Sequence, residues 1–148
     1  MRAAVSIRPA APADVPAVAA LAALCFSDPW PVFGFQAELD NPDSLFLVAE
    51  NPDGLAGFAV ARCLSPEGEI LDLAVAPAGR RQGVGGALLD ALLAALARRD
   101  VHAVFLEVRA SNTAALALYA ARGFSQCGRR KNYYTRPVED AILMKWSK

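Results

Sequence analysis

A carboxylate interrupts an apolar run: Glu107 follows Val104, Phe105 and Leu106 and precedes Val108. Such a group either faces water on an alternating strand or lies in a cleft. In a cleft, loss of water raises its pKa toward the range a general base needs. Further along, Tyr119 brings a phenol, whose ordinary pKa near 10 lets it serve as a proton donor. The spacing around Tyr119 also suits an amphipathic helix with the ring in the core and the hydroxyl at its edge. Both readings stay open on the residues alone. Glu69 and Asp72 are further carboxylates on a neighbouring apolar stretch.

The segment Arg80-Arg81-Gln82-Gly83-Val84-Gly85-Gly86 lies between a strand pattern and a helix pattern. Glycines there permit positive φ and close approach of a ligand to the backbone. The first-turn N–H groups of the following helix and its macrodipole favour an anion, and two arginines add charge-assisted donors. A pyrophosphate would fit. A glycine-rich turn that merely packs helix on strand is the plainer alternative. A dinucleotide fingerprint needs a repeated βαβ context, which the sequence upstream lacks. A phosphate-binding loop of the Walker type needs Lys and then Ser or Thr after its last glycine, and Ala87-Leu88 stands there instead. Coenzyme A remains, because its pyrophosphate uses the same physics.

Positioning these groups requires a sheet and helices. Periodicity predicts a strand over Val5–Arg8 and helices over Val15–Phe26 and Val32–Leu39. Strands follow at Leu45–Glu50, Leu55–Leu64 and Glu69–Val75, joined by the turns Asn51-Pro52-Asp53-Gly54 and Ser65-Pro66-Glu67-Gly68. The pattern then gives a helix from Gly83 to Arg99, a strand over Val101–Arg109 and a helix over Thr113–Arg122. Ser111 is the expected cap of that helix and Gly123 its left-handed stop. Strands at Phe124–Tyr133 and Asp140–Trp146 close the chain. The expected fold is one α/β (α+β) domain spanning residues 1–148, a mixed sheet flanked by helices.

Composition excludes other classes. The 148 residues carry 15 basic and 15 acidic side chains, with 55% hydrophobic residues and one histidine. That apolar content rules out a disordered chain, and zero net charge argues against a nucleic-acid coat or a polybasic membrane binder. His102 alone cannot form a two-histidine metal motif, and Cys25, Cys63 and Cys127 are too scattered for a zinc knuckle. No metal is expected; scattered thiols fit a reduced, cytoplasmic protein. Arg2 and Arg8 before the apolar run Val15 to Phe26 have the look of a secretory signal. Asp14 as N-cap and Pro16 in the first turn read instead as the start of a buried helix.

The motifs together carry a resemblance. Arg80-x-x-Gly83-x-Gly85 after the strand Leu71–Val75 resembles the acyl-CoA signature of the GNAT N-acetyltransferases. Leu106-Glu107-Val108-Arg109-Ala110-Ser111-Asn112, Ala117-Leu118-Tyr119 and Gly123-Phe124 look like the RimI-type ribosomal-protein-alanine N-acetyltransferases. Arg130-Lys131-Asn132-Tyr133-Tyr134 and Glu139 to Met144 continue the likeness, which is dense from Leu71 onward and thin before Pro29-Trp30. The resemblance implies a GNAT-type, mostly antiparallel sheet. It also implies direct transfer from acetyl-CoA, in a ternary complex, to the N-terminal alanine of small-subunit ribosomal protein eighteen. Glu107 is then the general base, ahead of Glu69, and Tyr119 the general acid toward the departing thiolate. Leu73, Ala74 and Val75 would meet the acetyl-pantetheine arm through backbone groups. Arg80, Arg81, Gln82, Gly83, Val84, Gly85 and Gly86 would hold the pyrophosphate, and Asn112 would contact coenzyme A.

For the acceptor, Trp30, Tyr133 and Tyr134 are aromatic residues in loop-type segments, suited to the walls of a peptide groove; Trp30 suits a core plug equally well. The expected partners are acetyl-CoA and an N-terminal peptide, with no direct nucleic-acid or membrane partner. Two alternatives remain: a small-amine or antibiotic acetyltransferase of the same fold, and a non-catalytic coenzyme A-binding module. The Asn132-Tyr133-Tyr134 segment favours a peptide over a small amine. Retention of both Glu107 and Tyr119 counts against the non-catalytic module.

Overall fold

Alternating and continuous apolar runs in the middle of the chain pair into a meander, and the remaining strands extend it. The computed structural model describes residues 5–80 and 82–148. Strands β1 (Ser6–Pro9), β2 (Ser44–Asn51), β3 (Gly54–Leu64), β4 (Glu67–Val75), β5 (Ala103–Arg109), β6 (Ser125–Thr135) and β7 (Val138–Ser147) form one sheet in the order β1-β2-β3-β4-β5-β7-β6. All neighbours run antiparallel except β4 and β5. The expected mixed, mostly antiparallel sheet with flanking helices is the fold observed.

Helices cover both faces. Helix α3 (Val84–Ala97) lays Leu88, Leu89, Leu92 and Leu96, all fully buried, over β2, β3 and β4, in one core cluster with Val104, Leu106 and Val108 of β5. On the opposite face, α1 (Val15–Cys25) and α2 (Val32–Asp40) bury Val15, Val18, Leu21 and Phe35 over Val48, Phe58 and Val60. The Val15 run is thus a core helix, burying one stripe as an amphipathic segment must. Under α2, the buried Glu38 carboxylate accepts from Ser44 and pairs with Arg62.

Of two expected caps, Asp14 holds its position and Ser111 is corrected. Asp14 occupies the N-cap position of α1, yet its carboxylate accepts the Ala11 N–H at 2.7 Å and pairs with Arg8 at 2.8 Å. Arg8 on the adjacent strand is the stronger, charged partner. At α4 (Thr113–Ala121) the cap is Asn112, whose Oδ1 accepts the Ala115 N–H at 3.1 Å, and not Ser111. Ser111 turns its own N–H to Glu139 Oε2 at 2.6 Å. Gly123, at φ +93°, ends α4 in the left-handed conformation as expected.

One departure from regular pairing shapes the molecule's function. The parallel strands β4 and β5 are paired only through Glu67–Glu69 and Ala103–Phe105. Beyond that they separate, and β4 bulges, with Val60 of β3 opposite Asp72 but Ala61 opposite Ile70. A bulge bends its strand and re-aims its side chains. A wedge opens between β4 and β5.

Candidate active site

A cleft of about 540 Å³ fills this wedge, within the size range of small-molecule sites. Its floor includes Asp72 and Leu73 of β4 and Glu107 and Arg109 of β5; Tyr119 of α4 closes one side. Trp30 and Tyr134 stand at the other side. Alternation along β5 explains the placement. Val104, Leu106 and Val108 point into the α3 core, so Phe105, Glu107 and Arg109 take the opposite face.

Glu107 is partly exposed, and Arg130 Nε lies 3.4 Å from its Oε1. A smaller pocket of about 260 Å³ adjoins the cleft and shares Glu107; Glu69, Glu67, Arg62 and Arg130 line it. Glu69 thus reaches Glu107's neighbourhood from the side away from Tyr119, and is itself exposed. Among the described residues, no three His, Cys, Asp or Glu side chains gather as a metal site.

Tyr119 is buried at 7% exposure, its ring edge-on to Phe124 at 5.5 Å between centroids. Burial raises its pKa, and the Asp72 charge raises it further. The phenol therefore keeps its proton through the alkaline range, as an acid must. The ring is in the core, as an amphipathic helix residue's would be, and the residue also lines the cleft. Asp72 is the group whose environment the sequence did not reveal. Burial pushes its carboxyl up to about 7, against a lowering hydrogen bond from the Leu73 N–H. A carboxylic residue on an apolar strand was the available signal; the bulge that sets it half-buried in the cleft had none.

The aromatic candidates divide. Trp30 packs at 5.3 Å on Phe35 and also lines the cleft, so it is plug and wall at once. Tyr134 is half-buried in the cleft beneath Arg109, and burial raises its pKa. Tyr133 is exposed and stands edge-on to Tyr134 at 5.1 Å. A hydrogen bond to Glu107 raises its pKa.

The glycine loop leads into α3 as expected. Gly83 is the N-cap at φ +82°, a left-handed conformation that favours glycine. Arg80 is exposed, with Nη2 3.6 Å from Cys25 Sγ, and Gln82 Nε2 donates back to Ala78 O at 3.1 Å. Val84 is buried in the core, so only its backbone can meet a ligand. Arg81 lies outside the described residues. Gly85 and Gly86 also serve packing. A Cβ on Gly85 would stand 3.2 Å from Leu118, and one on Gly86 2.1 Å from the Arg122 guanidinium, both on the α4 side. Leu73 lines the cleft, Ala74 is buried, and the Val75 carbonyl faces Cys25 Sγ at 3.9 Å. Asn112 reaches the cleft while capping α4.

A wedge between two parallel strands, lined by Asp72, Glu107 and a buried phenol, suits acyl transfer; the described residues of the glycine loop do not line it, and Gly85 approaches it only through Leu118. Residues 15–124 match the Acetyltransferase (GNAT) family. The chain belongs to that family, and its reaction is acetyl transfer. It is 38% identical over 133 residues to the [Ribosomal protein bS18]-alanine N-acetyltransferase of Escherichia coli, covering 88% of this chain and 89% of that protein. It is 39% identical over 139 residues to the N-alpha-acetyltransferase RimI of Mycobacterium tuberculosis, covering 90% and 86%. The crystal structure of the ribosomal-protein-S18-alanine N-acetyltransferase from Escherichia coli superposes with a TM-score of 0.89 at 34% identity. The match covers 97% of this chain and 94% of that one.

Proposed function

We propose that this protein transfers the acetyl group of acetyl-CoA directly to the α-amino group of an N-terminal alanine. By its likeness to the relatives above, the acceptor is ribosomal protein bS18. The observation that carries the reading is the shared cleft, with Glu107 and Tyr119 within it and the aromatic walls Trp30 and Tyr134 at its mouth. In this reading residues 1–148 act as one catalytic domain in the cytoplasm, which its free cysteines suit.

Each group has a role. The first-turn amides of α3, released by Gly83, with Arg80 and Arg81, hold the pyrophosphate, with Gln82 to Gly86 supplying backbone. The backbone of Leu73, Ala74 and Val75 aligns the acetyl-pantetheine arm and polarises its carbonyl, and Asn112 meets the coenzyme. Trp30, Tyr133 and Tyr134 guide the peptide. The α-ammonium loses one proton to water, and its freed lone pair attacks the thioester carbon. As the C–N bond forms, Glu107 takes the second N–H proton; the C–S bond breaks, Tyr119 protonates the thiolate, and the proton on Glu107 returns through water to the Tyr119 phenolate. An α-amine with an ordinary pKa of about 8 needs no stronger base.

Mass spectrometry of N-terminal peptides incubated with acetyl-CoA tests this. Alanyl peptides gain one acetyl group on the α-nitrogen. Acetylation of small amines or lysine side chains alone, with the α-amines untouched, would overturn the reading.

A further inference from the structure

The cleft holds one carboxylate that neither the fold nor the mechanism above uses. An aspartate inside a strand is poorly suited to it, and burying its charge costs free energy unless a cation answers it. The other charged groups of the cleft are answered. Glu107 faces Arg130 at 3.4 Å, Arg109 holds Glu139 at 3.1 Å, and Arg136 meets Asp28 at 3.6 Å. Among the described residues Asp72 has no ion-pair partner. The β4 bulge sets it where β4 has left β5, in the same cleft as Glu107 and Tyr119.

We infer that Asp72 is the counter-ion of the acceptor's α-ammonium and takes its first proton, beside Glu107. This rests on the N-terminal acceptor proposed above. The arriving ammonium is the cation that Asp72 lacks. Its N–H proton passes to an Asp72 carboxylate oxygen, which frees the lone pair for the thioester carbon. As the C–N bond forms, Glu107 takes the second proton; as the C–S bond breaks, Tyr119 protonates the sulfur. Asp72 returns its proton to the Tyr119 phenolate, and the proton on Glu107 leaves to water. One proton is released per turnover, as the overall reaction requires. The titratable and charged groups that line the cleft with Asp72 are Cys25 from α1, Tyr119 from α4, Glu107 and Arg109 from β5, Tyr134 from β6 and Glu139 from β7, with Asp28 and Arg136 from the loops. Of these, Tyr119 responds to the Asp72 charge directly.

The test compares Asp72→Asn with the parent enzyme on an alanyl peptide across pH. The parent's own turnover of that peptide settles the acceptor reading first; the ratio of variant to parent then reports on Asp72. The expected result is a kcat/KM for peptide lower by about tenfold or more, with acetyl-CoA affinity unchanged. The acid limb near pH 7 that Asp72 gives the parent should vanish. A kcat/KM within twofold of the parent, with the limb intact, would overturn the inference. A second measurement needs no variant. In the parent saturated with non-reacting CoA, the Asp72 carboxyl 13C resonance should titrate at lower pH once alanyl peptide is added. An unmoved midpoint would also overturn it.

Discussion

Arg109 lies over the ring of Tyr134, its guanidinium carbon 4.3 Å from the ring centroid. The same side chain donates to Glu139 at 3.1 Å, to Pro137 O at 3.0 Å and to Ser27 Oγ at 3.1 Å. One residue of β5 thus fastens the β6–β7 hairpin and the segment after α1, the two walls of the acceptor side. The planar fork of arginine matches this set of acceptors, and a lysine cannot reproduce it. Arg109→Lys should raise KM for the peptide by about tenfold, an effect of about 1.4 kcal/mol. Its dissociation constant for acetyl-CoA should stay unchanged. Equal weakening of both substrates would show that the residue supports the whole cleft instead.

Tyr119 keeps its proton because burial and the Asp72 charge both raise its pKa. Below that raised pKa it remains competent as an acid, so it adds no alkaline fall to kcat up to about pH 10. Tyr119→Phe preserves the ring packed on Phe124 and removes only the hydroxyl. Turnover should fall by about 10²-fold with acetyl-CoA binding retained. A variant as fast as the parent would remove Tyr119 from the proton path.

Two glycines of the loop should respond differently to alanine. Gly83, at φ +82°, would be strained whatever space surrounds it. Gly83→Ala should cost about 1 kcal/mol or more in stability and weaken acetyl-CoA binding. Gly86→Ala meets the flexible end of Arg122, which can swing away from its Asp90 partner. Its melting temperature should drop less than that of Gly83→Ala. The reverse order in thermal denaturation would contradict the conformations assigned here.

Asp72 also makes stability depend on pH in a definite sense. Its carboxyl titrates at about 7 in the folded chain against 3.8 for the ordinary group. Between those values the folded state holds a proton that the unfolded state has lost. Stability from this residue therefore falls as pH rises from about 4 to 7 and is flat above. The full penalty is at most about 4 kcal/mol. Asp72→Asn should thus melt higher than the parent at pH 8 and show little difference at pH 4. A variant less stable than the parent at pH 8 would contradict a half-buried, unpaired charge.

Much of this was legible in the residues. The apolar periods of β2, β3 and α3 name their elements because each buries a full stripe or face. The turn at Gly123 and the left-handed start at Gly83 follow from residue type. Glu107 and Tyr119 stood out as a charge in an apolar strand and a ring on an amphipathic helix. Local signals failed where long-range contacts decide. The Ser111 cap gave way to Asn112 because Glu139 claims the Ser111 N–H. Nothing near Glu69 or Phe105 marks where β4 and β5 stop pairing, and nothing near Leu71 marks the bulge. The wedge, the burial of Asp72 and the Arg109 clamp all follow from those unmarked events.

The central claim is acetyl transfer to an N-terminal α-amine with Glu107 as base. The most direct measurement is the rate of α-amine acetylation of an alanyl peptide, followed by mass spectrometry, for the parent and for Glu107→Gln and Glu69→Gln. The parent should yield acetylated peptide. Glu107→Gln should show a kcat lower by about 10²-fold or more at unchanged acetyl-CoA affinity, and Glu69→Gln near-parent turnover. An unacetylated peptide, or a Glu107→Gln enzyme as active as the parent, would contradict the central claim.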